Sequence, residues 1–149
     1  MINSFPKPLL AAALLAIAPL AAAAAYAPEV SATAAAAEGS AQRRAILDAL
    51  RPGVVKAMRG PVEFVVERLE VKDGWALVLA QPQRPGGGRI DPASVLPADQ
   101  LEFTDGLRID ALLRFKGGKW VPEDFKVGAT DVWYVCYPGA PKALTGCGD

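Results

Sequence analysis

Cys136 and Cys147 are the only cysteines of the 149-residue chain. The chain has no histidine and the two cysteines do not form a CxxC pair, so a metal pair or reactive thiols are the less favoured interpretations. In an oxidising compartment two such cysteines usually form a disulfide. Their spacing therefore predicts a short covalent loop that clasps the C-terminal tail against the last strand.

A second candidate site lies in the long irregular stretch from Pro82 to Gly106. Its segment "RPGGGRID" places Arg84, Arg89 and Asp91 around three consecutive glycines. Backbone N–H groups in a glycine-rich turn, flanked by guanidinium groups, suit a carboxylate, a phosphate or a sugar acid. The glycines match neither phosphate-loop pattern, so a flexible crossover between sheet edges is the favoured interpretation and an anion site is the alternative.

Acid–base and nucleophilic chemistry have few residues to carry them. Without histidine, only carboxylates could form an acid–base pair. Asp110, flanked by Arg108 and opposite Lys126, has the pattern of an ordinary solvated sheet face. The serines and threonines have no histidine base to activate them. The sequence therefore predicts no catalytic residue, no metal site and no cofactor, and an enzyme is the less favoured class.

Aromatic residues suggest a third candidate surface. Trp120 is predicted to point away from Phe115, to a second sheet face that the single predicted helix does not cover. Further aromatic residues lie in the first hairpin and the tail, namely Trp75, Trp133, Tyr134 and Tyr137. The long loop and tail, a second subunit or partner protein, or a small ligand could cover that face. Trp120 is therefore also a candidate binding residue.

The N-terminal segment has one lysine, then an apolar run and a string of alanines. This pattern predicts a secretory signal peptide over residues 1–25, cleaved near Ala24 or Ala25. A retained membrane anchor is the alternative, but the run is shorter than a spanning helix needs and contains Pro19. Residues 26–39 are Ala-rich without a patterned apolar face, which indicates a flexible leader. The predicted location is the periplasm or the extracellular medium.

The overall charge excludes some partners. The chain has 16 basic and 16 acidic residues, and the predicted mature protein is nearly neutral with no basic cluster. Such a chain has no electrostatic footprint for nucleic acid or for anionic lipid.

Residues 40–149 are predicted to form one α+β domain. Gly39-Ser40 is a candidate N-cap for a helix, and Pro52-Gly53 is expected to interrupt that helix. A second short helix from Val54 to Met58 is an option after the interruption.

The first pair of strands is marked by two local patterns. In "VEFVVERLEV" the apolar alternation slips around Glu67-Arg68, and a β-bulge there returns the apolar residues to one face. Asp73-Gly74 is typical of a two-residue type I′ turn. The returning strand, "WALVLA", is apolar on both faces and is predicted to be a central strand.

The second hairpin is predicted to turn over three residues, Gly117 to Lys119. This register places Phe115 opposite Val121 and Asp110 opposite Lys126, and it collects most apolar residues on one face. A two-residue turn is the alternative, but it would place the apolar face opposite charged residues.

A short fifth strand is predicted from Val132 to Tyr137. One helix followed by four or five antiparallel strands gives an α+β layer arrangement. This element order looks like that of the cystatin-like and nuclear-transport-factor-like curved-sheet folds.

The segments "GPVEFVVERLEV", "DGWALV", "PQRPGG", "DGLRIDALLRFKGGKW" and "GATDVW" resemble those of a group of short exported proteobacterial proteins with no assigned activity. The resemblance runs from about Ala41 to Trp133. It implies export and the fold, and it brings no catalytic residue with it.

These patterns together predict an exported, non-enzymatic interaction module. It would present a Trp-bearing sheet face, or the Arg84 to Asp91 loop, to a protein or cell-envelope partner, or form a homodimer through a sheet face. The alternative is a small-ligand binder or a carboxylate enzyme, with a pocket between helix and curved sheet and the long loop as its lid.

Overall fold

The computed structural model describes the backbone of residues 27–148 and the side chains of residues 39–148. The predicted signal peptide, residues 1–25, and its cleavage site lie outside the described residues. The chain divides into two units, Met1–Ala36 and Ala37–Asp149, and the whole sheet belongs to the second.

Helix α1 spans Ala27–Ala57 as one continuous element. It begins earlier than the predicted N-cap at Gly39-Ser40, inside the segment for which the sequence indicated a flexible leader. Alanine has the highest helix propensity of all residues, so an Ala-rich segment continues a helix without a patterned apolar face.

Pro52 lies inside α1 and does not end it, so the predicted break and second short helix are wrong. Proline removes one helical hydrogen bond and crowds the preceding turn. Packing of the apolar face offsets this cost, because four residues at helical spacing are completely buried on the sheet, namely Ile46, Leu50, Val54 and Met58.

Four antiparallel strands form one open sheet in the order β1-β2-β3-β4. They are β1 (Glu63–Lys72), β2 (Trp75–Gln83), β3 (Ile109–Lys116) and β4 (Lys119–Val127). Two four-residue helices, α2 (Ala98–Leu101) and α3 (Lys142–Thr145), lie in the long loop and in the tail. A helix packed on an antiparallel sheet is the predicted α+β arrangement.

The first hairpin confirms both local predictions. The pairing of β1 with β2 shifts by one residue between Val66 and Arg68, which is the expected bulge. Asp73 and Gly74 have φ angles of 48° and 76°, as a type I′ turn requires. β2 lies between β1 and β3, and its residues are mostly buried, as expected of a central strand.

The second hairpin turns over two residues, Gly117 and Gly118, and the predicted three-residue turn is wrong. Phe115 therefore faces Trp120 instead of Val121. Both glycines have positive φ angles, 58° and 77°, which glycine adopts at no steric cost and which suit a two-residue turn.

The pairing of β3 with β4 shifts by one residue between Leu112 and Leu113, and this shift restores the predicted pairing in the rest of the hairpin. Beyond the shift, Asp110 pairs with Lys126 as predicted. The shift is a second bulge, and it removes the mismatch that made a two-residue turn look unfavourable.

The helix and the long loop cover one face of the sheet. The core between them combines buried residues of α1 with alternate strand residues, including Ala76, Val78, Ala80, Ile109, Ala111 and Leu113. Val95 of the long loop is buried in this core, and Ile90 and Leu96 pack at its border. The loop is therefore part of the packed domain.

The C-terminal tail covers the other face. Strand residues Trp75, Leu77 and Leu112 form a second core with Tyr134 and Leu144 of the tail. The sequence left open what packs on this second face of the sheet, and the structure places the C-terminal tail there.

The tail contains no fifth strand within its described residues, so that prediction is wrong. Its segment folds into successive turns, in which Val135 N–H donates to Val132 C=O and Tyr137 N–H to Tyr134 C=O, at 2.9 and 3.1 Å. Backbone groups used in turns are not available to a strand partner. The turns allow the aromatic side chains to pack on the sheet.

The predicted disulfide between Cys136 and Cys147 is present, with the two Cα atoms 4.7 Å apart. It joins the turn after Tyr134 to the end of α3, and so it clasps two parts of the tail to each other instead of to the last strand. Cys136 has a φ angle of 55°, a left-handed conformation that costs a non-glycine residue about 1–2 kcal/mol. The disulfide and the packed aromatic rings hold it there.

Candidate functional site

A groove of about 560 Å³ opens where the end of β2 meets the long loop. Its walls include Arg89 and Asp91, two of the four predicted binding residues, and the side chains of Gln81 and Gln83. We call it the loop groove. Ile90, Pro92 and Leu107 give it apolar surface, so it combines an apolar wall with charged and amide groups.

The loop that forms one wall is a tight turn. Arg84 N–H donates to Gly88 C=O at 2.7 Å, and Gly87 N–H donates to Arg84 C=O at 3.0 Å. Gly86 and Gly87 have φ angles of 82° and 87°. Two of the amide donors expected to bind an anion are therefore used inside the turn, and they do not form an anion-binding nest.

Arg84, a predicted binding residue, lies outside the loop groove. Its guanidinium donates to Met58 C=O at 2.8 Å and to Pro61 C=O at 3.1 Å. The last carbonyls of a helix have no partner inside the helix, and a cation near them is favoured by the helix dipole. Arg84 therefore ties the long loop to the end of α1.

A nearby backbone N–H group holds the Asp91 side chain in place at the loop groove. One carboxylate oxygen accepts a hydrogen bond from Ala93 N–H at 3.1 Å and caps the 3₁₀ turn Pro92–Ser94. Among the described residues, its other oxygen has no hydrogen-bond partner. The carboxylate is thus positioned and can still accept a bond from a ligand.

Arg89 is exposed, and across residues 39–148 its guanidinium has neither a hydrogen bond nor an ion pair. A free guanidinium beside a positioned carboxylate can bind a ligand that carries both an anionic group and a hydroxyl. The structure therefore brings Arg89 and Asp91 together and separates them from Arg84.

Trp120, the fourth predicted residue, lies on the helix side of the sheet, so its predicted orientation is wrong. It is 9% exposed and packs against Phe115, with ring centroids 5.3 Å apart. The two-residue turn shifts the pairing by one residue, and a shift of one moves a side chain to the opposite face. Trp120 is therefore far along the sheet from the loop groove and lines a different depression.

Asp110 is completely buried, so the prediction of a solvated face is wrong at this residue. Arg108 donates to both of its oxygens, at 2.7 and 3.0 Å, and this hydrogen bonding raises the pKa of Arg108. Lys126, its cross-strand neighbour, instead bonds to Asp124. In the sequence, the feature that could have indicated this buried pair is Arg108, which lies two residues from Asp110 on the same face of the strand.

A similar pair lies on β1, but in solvent. Arg68 donates two hydrogen bonds to Glu70, at 2.9 and 2.8 Å. The pair raises the pKa of Arg68 and lowers that of Glu70. Because both side chains are substantially exposed, the pair adds little to stability.

In the part of the chain that the structure describes, no group of three or more metal-ligating side chains converges. Nor is any helix of that part both long enough and apolar enough to span a bilayer.

Comparison of the chain with protein-family models, with curated proteins and with solved structures found no match. The resemblance to short exported proteobacterial proteins stays a prediction.

Proposed function

We propose that the chain is an exported, non-enzymatic binding module whose ligand site is the loop groove. The observation that carries the proposal is the unpaired guanidinium of Arg89 in a groove where Asp91 is already held by a backbone hydrogen bond. Periplasmic or secreted location is supported by the disulfide, because such bonds persist mainly outside the cytosol.

The chemistry of the groove favours a ligand with a carboxylate and neighbouring hydroxyl groups, such as a sugar acid. Arg89 would bind the carboxylate through two parallel hydrogen bonds, while Asp91 and the Gln81 amide would bind hydroxyls. The Nε2 group of Gln83 already donates to Glu63 at 3.3 Å, so Gln83 would contribute its amide oxygen. The apolar wall of Ile90 would contact the non-polar face of the ring. The same chemistry is present in a free acid and in an acidic polymer of the cell envelope.

Binding is favoured over catalysis because Asp91 is the only acidic side chain in the wall of the groove. Acid–base hydrolysis by carboxylates requires two of them on either side of the reacting bond. Asp110, the most deeply buried carboxylate among the described residues, is bonded on both oxygens by Arg108.

The order of one helix and a four-stranded meander also supports a place among the cystatin-like or nuclear-transport-factor-like curved-sheet folds. In such an arrangement loops at the strand ends are free to form binding surfaces on a rigid scaffold. The loop groove lies at one such end.

The test is an NMR titration of the mature, oxidised protein with glucuronate, with polygalacturonate and with inorganic phosphate as separate probes. We expect glucuronate to shift the amide signals of Gly87, Ile90 and Asp91. Arg89→Ala should remove these shifts, Arg89→Lys should weaken them, and Arg43→Ala, at an exposed arginine outside the groove, should leave them unchanged.

Two outcomes separate the sources of the ligand, and one rejects the proposal. Tight binding of the polymer with weak binding of the monomer would identify an envelope polymer, and the reverse would identify a free acid. No shift at Gly87 or Asp91 with any of the probes, or shifts that persist in Arg89→Ala, would overturn the assignment.

A further inference from the structure

We propose a second, independent site that binds a small amphipathic carboxylate, such as a medium-chain fatty acid, between α1 and the turn of the second hairpin. A groove of about 520 Å³ lies there. We call it the helix–hairpin groove, and its walls include Ala45, Ala49, Phe115 and Trp120, with Gln42 and Lys119. This proposal goes beyond the loop groove and does not depend on it.

The groove lies where α1 presents small side chains to the second hairpin. At Gly53 a Cβ atom would lie 3.0 Å from the Phe125 ring, so helix and strand are in close contact there. One and two turns earlier, Ala49 and Ala45 extend only a methyl group toward the hairpin. Nothing in the described residues fills the remaining space.

The wall opposite the helix is aromatic. Trp120 is 9% exposed, whereas its neighbour Phe115 is 49% exposed, and their ring planes are tilted by 58°. Part of the Phe115 ring is therefore open to solvent in a groove that Ala45 and Ala49 also line. Ligand pockets are lined mainly by apolar and aromatic side chains, and the volume of this groove falls within their range.

A positive charge at the rim of the helix–hairpin groove indicates that the polar end of the ligand is anionic. Lys119 lines the groove, and within residues 39–148 its ammonium group has no ion pair. The neighbouring Lys116 is bonded to Glu123 at 2.8 Å, so its charge is already compensated. No acidic side chain is among the lining residues. An apolar body with a carboxylate therefore fits the groove better than a neutral or cationic molecule.

The experiment uses octanoate, octanol and octylamine as probes and follows the indole N–H signal of Trp120 by NMR in the oxidised protein. Octanoate is expected to shift this signal and the methyl signals of Ala45 and Ala49. Ala45→Leu should prevent binding by filling the groove, and since Ala45 is exposed the variant should fold normally. Ala49→Leu provides a second filling variant if the first does not fold.

Charge is tested separately from shape. Lys119→Ala should weaken octanoate about fivefold, the worth of one exposed ion pair, and leave octanol unchanged. Arg89→Ala should have no effect, so this proposal and the loop groove fail or succeed separately. If octanoate leaves the Trp120 signal in place, if octylamine binds as well as octanoate, or if neither filling variant weakens binding, the site is rejected.

Discussion

Arg108 and Asp110 lie two residues apart, and the arginine donates one hydrogen bond to each oxygen of a carboxylate that is completely buried. Replacing Asp110 with alanine leaves the guanidinium without its partner and removes a buried group from the sheet. The arginine that remains is 36% exposed and can be solvated, so the cost is mainly that of the lost charge-assisted hydrogen bonds. We expect Asp110→Ala to lower the free energy of unfolding by about 1.5–3 kcal/mol, measured by urea denaturation.

The chain offers a matched control for that variant. Asp124 also bonds a cation two residues away, Lys126, at 3.0 Å, but both groups are partly exposed. Asp124→Ala should cost less than about 1 kcal/mol. Equal losses for the two variants would contradict the importance of burial at Asp110.

Alanine variants of Arg84 and Arg89 should differ in stability, because Arg84 has a structural role and Arg89 is proposed to bind the ligand. Arg84→Ala removes one hydrogen bond to Met58 C=O at the end of α1 and one to Pro61 C=O beyond it, and should lower the free energy of unfolding by about 1–3 kcal/mol. Arg89→Ala should change it by no more than about 0.5 kcal/mol, because Arg89 is an exposed surface residue. Thermal unfolding of both variants checks this, and a large loss for Arg89→Ala would assign that arginine a structural role.

Gly128 is the glycine for which the structure leaves no room. Its φ angle is 62°, and an added Cβ would overlap the Thr104 hydroxyl and lie 2.6 Å from Gly106 C=O. Gly128→Ala should therefore destabilise the protein strongly and disturb the end of the long loop. Chemical denaturation with hydrogen exchange at residues 104–106 measures both effects.

Gly74 is the control for that substitution, since its φ angle is 76° but nothing lies within 4 Å of an added Cβ. Gly74→Ala should cost only the backbone term of about 1–2 kcal/mol. If Gly128→Ala were no worse than Gly74→Ala, the close packing against Thr104 would be refuted.

The disulfide should contribute about 3 kcal/mol through the short loop it closes. Replacing Cys136 and Cys147 together by alanine is expected to loosen the tail and expose Trp75 to solvent, which tryptophan fluorescence and denaturation would report. Peptide mapping without reductant should find the two cysteines linked. Two free thiols in protein isolated from the cell envelope would contradict the pairing.

Sequence reasoning succeeded where a local pattern has one physical solution. Asp73-Gly74 accommodates the two positive φ angles of a type I′ turn. The apolar alternation of β1 slips by one residue at Glu67, and only a β-bulge there keeps the apolar side chains on one face of the sheet. The disulfide followed because only two cysteines were available to pair.

Reasoning failed where two local features compensate each other or where tertiary contacts decide. The two-residue Gly117-Gly118 turn gives an apolar face in register only when the bulge after Pro122 is also present, so a prediction without that bulge misplaces Trp120. The local sequence predicts a helix end at Pro52, because the burial of its neighbours is not visible in that sequence. The unpaired state of Arg89, on which the candidate site depends, likewise required the folded contacts.

The two bulges have a further consequence, because β1 and β4 are the edges of the sheet. An unpaired edge can template the addition of strands from other molecules, and bulges, prolines and charged side chains prevent it. β1 combines its bulge with Arg68 and Glu70, and β4 combines its own with Pro122. These features of β1 and β4 disfavour the pairing of one folded domain with another through the sheet edges.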